Sequence, residues 1–240
     1  MSGRVRVWPL PLTHQRAVGT AVVVDLLRAS TTITRALGAG AACVRPCLET
    51  GEALALRGAG VVLGGERGGL RIEGFDLGNS PAEYTRASVG GRVVVFTTTN
   101  GTRAIEAARR AVRGRASAVL VGCLNNLSAV VGLASGAAGV EVVCAGTGGV
   151  VTDDDLICAG AIAEHLVEAG FEAAGDEGTS GAIAAWRSAR TDLAAALRRT
   201  RGGRNLVEIG LGGDVDDCAA INTCGVVGVL ADDGTLRASP

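Results

Sequence analysis

A chain of 240 residues with a formal net charge of −1 is long enough for one large domain or two small ones. Nearly half of it, 48%, is apolar, ample for a buried core, yet no apolar run reaches the ~18 residues a membrane span needs. Scattered arginines with two Trp, one Tyr and three Phe leave little to neutralise phosphates or stack on bases, so no nucleic-acid partner is expected.

There is no lysine, which removes Schiff-base chemistry and a P-loop lysine, so charge chemistry falls to Asp, Glu and Arg. Cys43, Cys47, Cys123, Cys144, Cys158, Cys218 and Cys224 sit mostly in apolar segments and read as buried thiols. The C-x3-C pair Cys43/Cys47 lacks a second pair to complete a zinc site.

In chain order, Met1–Trp8 alternates charged and apolar residues and reads as a first strand, not a signal peptide, which makes the cytoplasm the expected compartment. His14 falls in a loop. A Val-rich strand at Ala21–Asp25 leads into Leu26–Thr32, and short strands are expected at Ala42–Arg45 and Val61–Gly64. Gly64 to Pro81 reads as a long glycine-punctuated loop. Arg92–Phe96 is a strand; Asn100-Gly101 would suggest a hairpin, but a helix continues from Ile105, so Thr97–Thr102 joins strand to helix. Strands at Ala118–Val121 and Val140–Ala145 follow. Asp153–Gly170 has the acidic start and glycine stop of a helix, with His165 on its apolar stretch, and Thr179–Arg199 reads as another. A last strand is expected at Val226–Leu230. Short doubly buried strands alternating with helices predict a three-layer α/β/α fold with a largely parallel sheet. No linker divides residues 1–240, so one domain is expected, although its halves could form two lobes.

In such sheets ligands bind beyond the carboxyl ends of the strands. Four loops stand there. Asp25-Leu-Leu-Arg28-Ala-Ser30-Thr31-Thr32 offers a carboxylate, a planar cationic fork and hydroxyls for a phosphate. Thr97-Thr98-Thr99-Asn100-Gly101-Thr102 packs hydroxyl and amide groups at a helix start, which suits an oxyanion. Glu66 and Asp76 in the glycine loop could ligate Mg2+ through oxygen. Gly146-Thr147-Gly148-Gly149 and Gly210-Leu-Gly-Gly213 are incomplete dinucleotide fingerprints. Residue chemistry alone reaches an oxyanion-binding α/β enzyme. A non-catalytic binder or sensor of phosphorylated metabolites and a nucleotide-cofactor oxidoreductase are the rival readings.

The wording of these loops goes further. Leu27-Arg28-Ala29-Ser30-Thr31-Thr32, Gly65-Glu66-Arg67, Gly74-Phe75-Asp76-Leu77-Gly78-Asn79-Ser80-Pro81, Thr97 to Thr102 and Cys144-Ala145-Gly146-Thr147 occur in that order. With the tail segments Gly203–Leu206 and Asp214–Cys218, they resemble the 2-phosphosulfolactate phosphatase family of coenzyme M biosynthesis. The resemblance implies Mg2+-dependent hydrolysis of 2-phospho-3-sulfolactate, or a related small phosphorylated organic acid, to 3-sulfolactate and phosphate. Where that family shows Glu-Asp, this chain has Asp154-Asp155, one methylene shorter, which weakens Asp154 as a direct ligand. The expected site then comprises Asp25, Glu66 and Asp76 on Mg2+, Arg28 with Ser30, Thr31, Thr98, Thr99, Asn100, Gly101 and Thr102 on the phosphate, Arg67 and Asn79 on the acid end, and Asp155 as base for the attacking water, with a phospho-aspartate at Asp25 as the alternative to direct water attack. No membrane partner is expected; a homo-oligomer is compatible with the sequence.

Overall fold

Residues 3–11, 19–112 and 118–239 are described by a computed structural model; His14 lies outside them. The strands are β1 (Arg4–Trp8), β2 (Thr20–Val24), β3 (Cys43–Pro46), β4 (Val61–Arg67), β5 (Leu70–Arg71), β6 (Val93–Thr97), β7 (Val119–Val121), β8 (Gly139–Cys144), β9 (Glu172–Ala173), β10 (Val227–Leu230) and β11 (Leu236–Ser239). The helices are α1 (Ala29–Gly38), α2 (Thr50–Ala55), α3 (Arg86–Val89), α4 (Gly101–Ala111), α5 (Leu127–Ala134), α6 (Asp153–Glu168), α7 (Glu177–Ala189), α8 (Leu193–Arg199), α9 (Arg201–Glu208) and α10 (Gly213–Ala219).

The strands form one 11-stranded sheet in the order β5-β4-β6-β3-β11-β10-β7-β2-β8-β1-β9. Two blocks are internally parallel, β4–β6–β3 and β7–β2–β8–β1–β9. The hairpin β10–β11 joins them with antiparallel pairing to β7 and β3. Three antiparallel joints reverse the sense of one block against the other. The α/β class and largely parallel sheet are as predicted; the bridging hairpin rests on β11, a strand with no counterpart in the sequence reading.

Every residue of β2 is buried, as its unbroken apolar run requires when both faces are covered. On one face, α1 leaves β2 and packs on β3, β10 and β11, while α4 leaves β6 and packs on β2, β7 and β8. These two helices share a core with Val23, Val44, Phe96 and Val121. On the other face of the larger block, Val22 and Val142 pack with Leu127, Ile162 and Trp186 of α5, α6 and α7. Exchanging helices between blocks in this way brings the β2–α1 and β6–α4 loops together.

Local signals set the ends of these elements. α6 opens on three aspartates and stops before Gly170, whose φ of 100° is left-handed backbone that favours glycine. The single helix expected over Thr179–Arg199 is instead α7 and α8, because Asp192 accepts a hydrogen bond from the Ala195 amide (3.1 Å) and starts a new helix. The predicted loop at Gly64–Gly69 is also corrected. Gly64 to Arg67 extend β4, and Gly68-Gly69, both at positive φ, make the tight turn into β5. The seven cysteines are free, and His165 points its Nδ1 at the Ala161 carbonyl oxygen (2.8 Å) inside α6. No helix among the described residues is long and apolar enough to cross a membrane.

Candidate active site

The loops after β2, β6 and β8, the β4–β5 hairpin and the start of α9 enclose a cleft of about 190 Å³. That is below the ~300 Å³ at which drug-sized pockets begin and suits a small metabolite. A larger groove of about 360 Å³, near Pro46, Ile105 and Leu230, shares no lining residue with it. Chemistry distinguishes the smaller cleft: Asp25, Glu66, Asp154 and Asp155 all line it.

Each carboxylate is held differently. Asp25 follows β2, and the Ser30 hydroxyl clamps its backbone by donating to the Asp25 carbonyl oxygen (2.8 Å) and accepting from its amide (3.2 Å). The Ala29 amide donates weakly to Asp25 Oδ1 (3.3 Å). Gly101 abuts the other oxygen: a Cβ there would lie 2.6 Å from Asp25 Oδ2 and 2.6 Å from the Ala29 methyl, so only glycine fits. Asp155 accepts from the Leu26 amide on Oδ1 and the Gly146 amide on Oδ2, both at 2.9 Å, tying the β2 loop to the β8 loop. Glu66 likewise accepts from Gly69 (2.7 Å) and Thr99 (2.8 Å), tying the hairpin to the β6 loop. Asp154 is the exception, since its Oδ1 is buried and has no hydrogen-bond partner.

These acids strain one another electrostatically. Burial, then the neighbouring Glu66 and Asp154, push the Asp25 carboxyl up to about 7 despite the Ala29 amide and Arg28. Burial and Asp155 raise Asp154 to about 7, and burial and Asp25 raise Asp155 to about 7. Three carboxylates that cannot comfortably ionise together call for a proton or a cation among them. The unpartnered Asp154 Oδ1 beside Asp25 is an all-oxygen donor set that fits a hard divalent ion such as Mg2+. Among the described residues no group of three Asp, Glu, His or Cys side chains forms a ready-made cage. Mg2+ is compatible with that, because it usually keeps several waters and takes substrate oxygens.

Several expected site residues lie elsewhere. Asp76 is 43% exposed, accepts from the Leu63 amide (2.8 Å) and pairs with Arg57, so it closes its own loop and does not join Asp25 and Glu66. Arg67 donates to the Glu66 carbonyl (2.8 Å) and the Thr97 hydroxyl (3.0 Å) and does not line the cleft. Thr31 donates to the Leu26 carbonyl oxygen, Thr98 accepts from the Thr102 amide, and Thr102 donates to the Thr98 carbonyl oxygen; like Ser30, these hydroxyls are spent on backbone. Thr99, Asn100 and Asn79 do line the cleft. Asn100 Oδ1 accepts from Gly148 (3.2 Å), and Asn79 Oδ1 is buried without a partner. Arg28 lines it too, but its guanidinium is committed. One terminal nitrogen donates to Asp214 Oδ2 and the other to the Gly69 carbonyl oxygen, each at 2.6 Å. Asp155, with both oxygens on amides, is a brace more than a free base.

Asp214, Arg201 and the free oxygen of Asp154 are what the sequence reading missed. The triple aspartate at Asp153–Asp155 is a visible signal, from which the sequence reading takes Asp155 as base and discounts Asp154; the structure instead leaves the free oxygen on Asp154. The Thr200-Arg201-Gly202-Gly203 start of α9, with Thr200 accepting from the Gly203 amide, was hidden inside an Ala/Arg-rich run. The partial glycine fingerprints fail structurally. The first precedes a helix whose opening turn carries three acids, hostile to a pyrophosphate, and the second joins α9 to α10 without following a strand.

The sequence model of the family described as 2-phosphosulpholactate phosphatase matches residues 9–233. A protein of Deinococcus radiodurans named "Probable 2-phosphosulfolactate phosphatase" is 42% identical over 244 residues, covering 98% of each chain. Proteins of the same name from Thermus thermophilus and Pseudothermotoga lettingae are 42% identical over 231 residues and 35% identical over 236. The first of these covers 95% of this chain and 94% of its own, the second 97% of each.

Proposed function

This chain belongs to the 2-phosphosulpholactate phosphatase family, and from that premise we propose that its cleft hydrolyses 2-phospho-3-sulfolactate, or a close phospho-acid, with Mg2+ bound. The observation that carries the reading is the free, buried oxygen of Asp154 among three carboxylates raised to about 7. Asp25 and Asp154 would hold the ion. Bound there, it supplies positive charge to the phosphoryl oxygens.

The chain's own groups do the rest. Thr99, Asn100 and Arg28 line the cleft, Arg28 with its guanidinium held by Asp214 and the Gly69 carbonyl. Asp155 and Glu66 hold the strand-end loops in register through backbone amides, so the reacting groups meet fixed partners. In the reaction a water oxygen bonds to phosphorus and the ester P–O bond breaks. The water gives up a proton to solvent as that bond forms, and the leaving oxygen takes one up and ends as the hydroxyl of 3-sulfolactate. A pure sensor of phosphorylated metabolites would gain nothing from buried carboxylates beside its anionic ligand. A place in coenzyme M synthesis would follow from this substrate.

The test is phosphate release from 2-phospho-3-sulfolactate after exhaustive chelation, with and without added Mg2+, in wild type and Asp25→Asn. Chelation should abolish turnover and Mg2+ restore it, and Asp25→Asn should lower kcat by about 100-fold or more. Full turnover in chelator sinks the metal; normal turnover by folded Asp25→Asn sinks the role of Asp25.

A further inference from the structure

A substrate bearing a phosphate and two further acid groups needs cationic partners, yet the cleft floor is acidic. Arg28 is spoken for by Asp214 and Gly69, and Arg67 is held outside by Glu66 and Thr97. Arg201 is different. It is the first residue of α9, lines the cleft, is exposed, and its side chain makes no hydrogen bond or ion pair among the described residues. Its neighbour Gly202 lies against Asp154, where an added Cβ would come within 3.3 Å of the Asp154 carboxylate, so Arg201 stands at the mouth directly beside the carboxylate pair.

A further side chain in the same cleft, Asn79, is over nine-tenths buried, and its amide oxygen has no hydrogen-bond partner. Burying such groups without partners is unfavourable unless a ligand satisfies them. Turned end for end, the Asn79 amide places its N–H donors where that oxygen lies, and these can donate to an acid oxygen.

We propose that Arg201 is the specificity-determining residue that grips the sulfonate or carboxylate end of the substrate, with Asn79 completing that subsite. This rests on the reading of the cleft as the seat of phosphate-ester hydrolysis. The acidic floor with its cation then takes the phosphoryl group, and the Arg201 fork at the adjoining mouth takes the acid end. A phosphomonoester without an acid group fills only the floor.

The experiment compares Arg201→Gln and Arg201→Lys with wild type on 2-phospho-3-sulfolactate and on glycerol 2-phosphate, which keeps the branched ester and lacks both acids. Calorimetric titration with 3-sulfolactate is run in parallel. Arg201→Gln should raise KM for the acid-bearing substrate by about 10- to 100-fold, the worth of a charge-assisted contact, with a much smaller change in kcat. Its loss of kcat/KM on that substrate should exceed its loss on glycerol 2-phosphate by at least about tenfold, and Arg201→Lys should recover part of it. Equal losses on the two esters would put Arg201 at the phosphoryl group and overturn the proposal, as would an unaltered KM. If wild type turns over neither ester, the hydrolytic reading fails, and the titration still decides Arg201. 3-Sulfolactate binding lost in Arg201→Gln supports the subsite; binding unaltered by the substitution, or undetectable in wild type, removes it.

Discussion

Asp154→Asn should make the metal-free protein more stable at pH 8 while destroying its activity. Asp154 is 5% exposed, and its carboxyl is raised from 3.8 to about 7, first by burial and then by Asp155. Below pH ~4 folded and unfolded chains both hold this proton, and it has no influence on stability. Between about 4 and 7 the folded state keeps a proton that the unfolded state releases, so stability falls as pH rises; above about 7 the full penalty is present. Three pH units correspond to on the order of 4 kcal/mol, an upper bound because Asp25 and Asp155 share the same charge strain. A neutral amide removes the penalty, so about 2–4 kcal/mol should be recovered at pH 8, which for a chain of this size is roughly 5–15 °C in Tm. At pH 4 the gain should vanish. Mg2+ should raise the wild-type Tm more at pH 8 than at pH 5, because protons compete for the same oxygens, and should do little for Asp154→Asn. Calorimetric melts at these pH values, in chelator and in Mg2+, measure all of this. A variant less stable than wild type at pH 8, or shifted equally at pH 4 and pH 8, would refute the reasoning.

Two further substitutions probe how the cleft is held. Arg28→Lys keeps the charge but cannot reach Asp214 and the Gly69 carbonyl together. Weakening this buried pair should cost about 2–4 kcal/mol in denaturant unfolding and lower kcat/KM about tenfold or more. Wild-type values in both measurements would show that the fork is dispensable. Gly101→Ala would push a methyl to 2.6 Å from Asp25 Oδ2 and from the Ala29 methyl. Overpacking of this kind typically costs 1–3 kcal/mol, and turnover should drop about tenfold or more because Asp25 must move; unchanged phosphate release would mean that Asp25 tolerates displacement.

Much of the scaffold was legible in the sequence because its signals are local. The valine runs became β2, β6 and β8, the aspartates and Gly170 bounded α6, and Asn100-Gly101 opened α4 in place of a hairpin turn. The loops that reach the cleft could be named from their place after these strands, and family membership followed from their wording. Which side chain in each loop faces the cleft was not local. Asp76 and Arg67 had suitable chemistry but found nearer partners in Leu63, Arg57, Glu66 and Thr97. The arginine that looked free, Arg28, is neutralised by Asp214 from the far end of the chain, 186 residues away, while Arg201 is left without a partner. Asp153, Asp154 and Asp155 are equivalent as letters, yet one is exposed, one bridges two loops and one keeps a bare buried oxygen. Sequence spacing determines helices, strands and caps because those depend on neighbours within a few residues. Free valences at a site depend on which groups from distant segments arrive first to satisfy them, and only tertiary packing decides that.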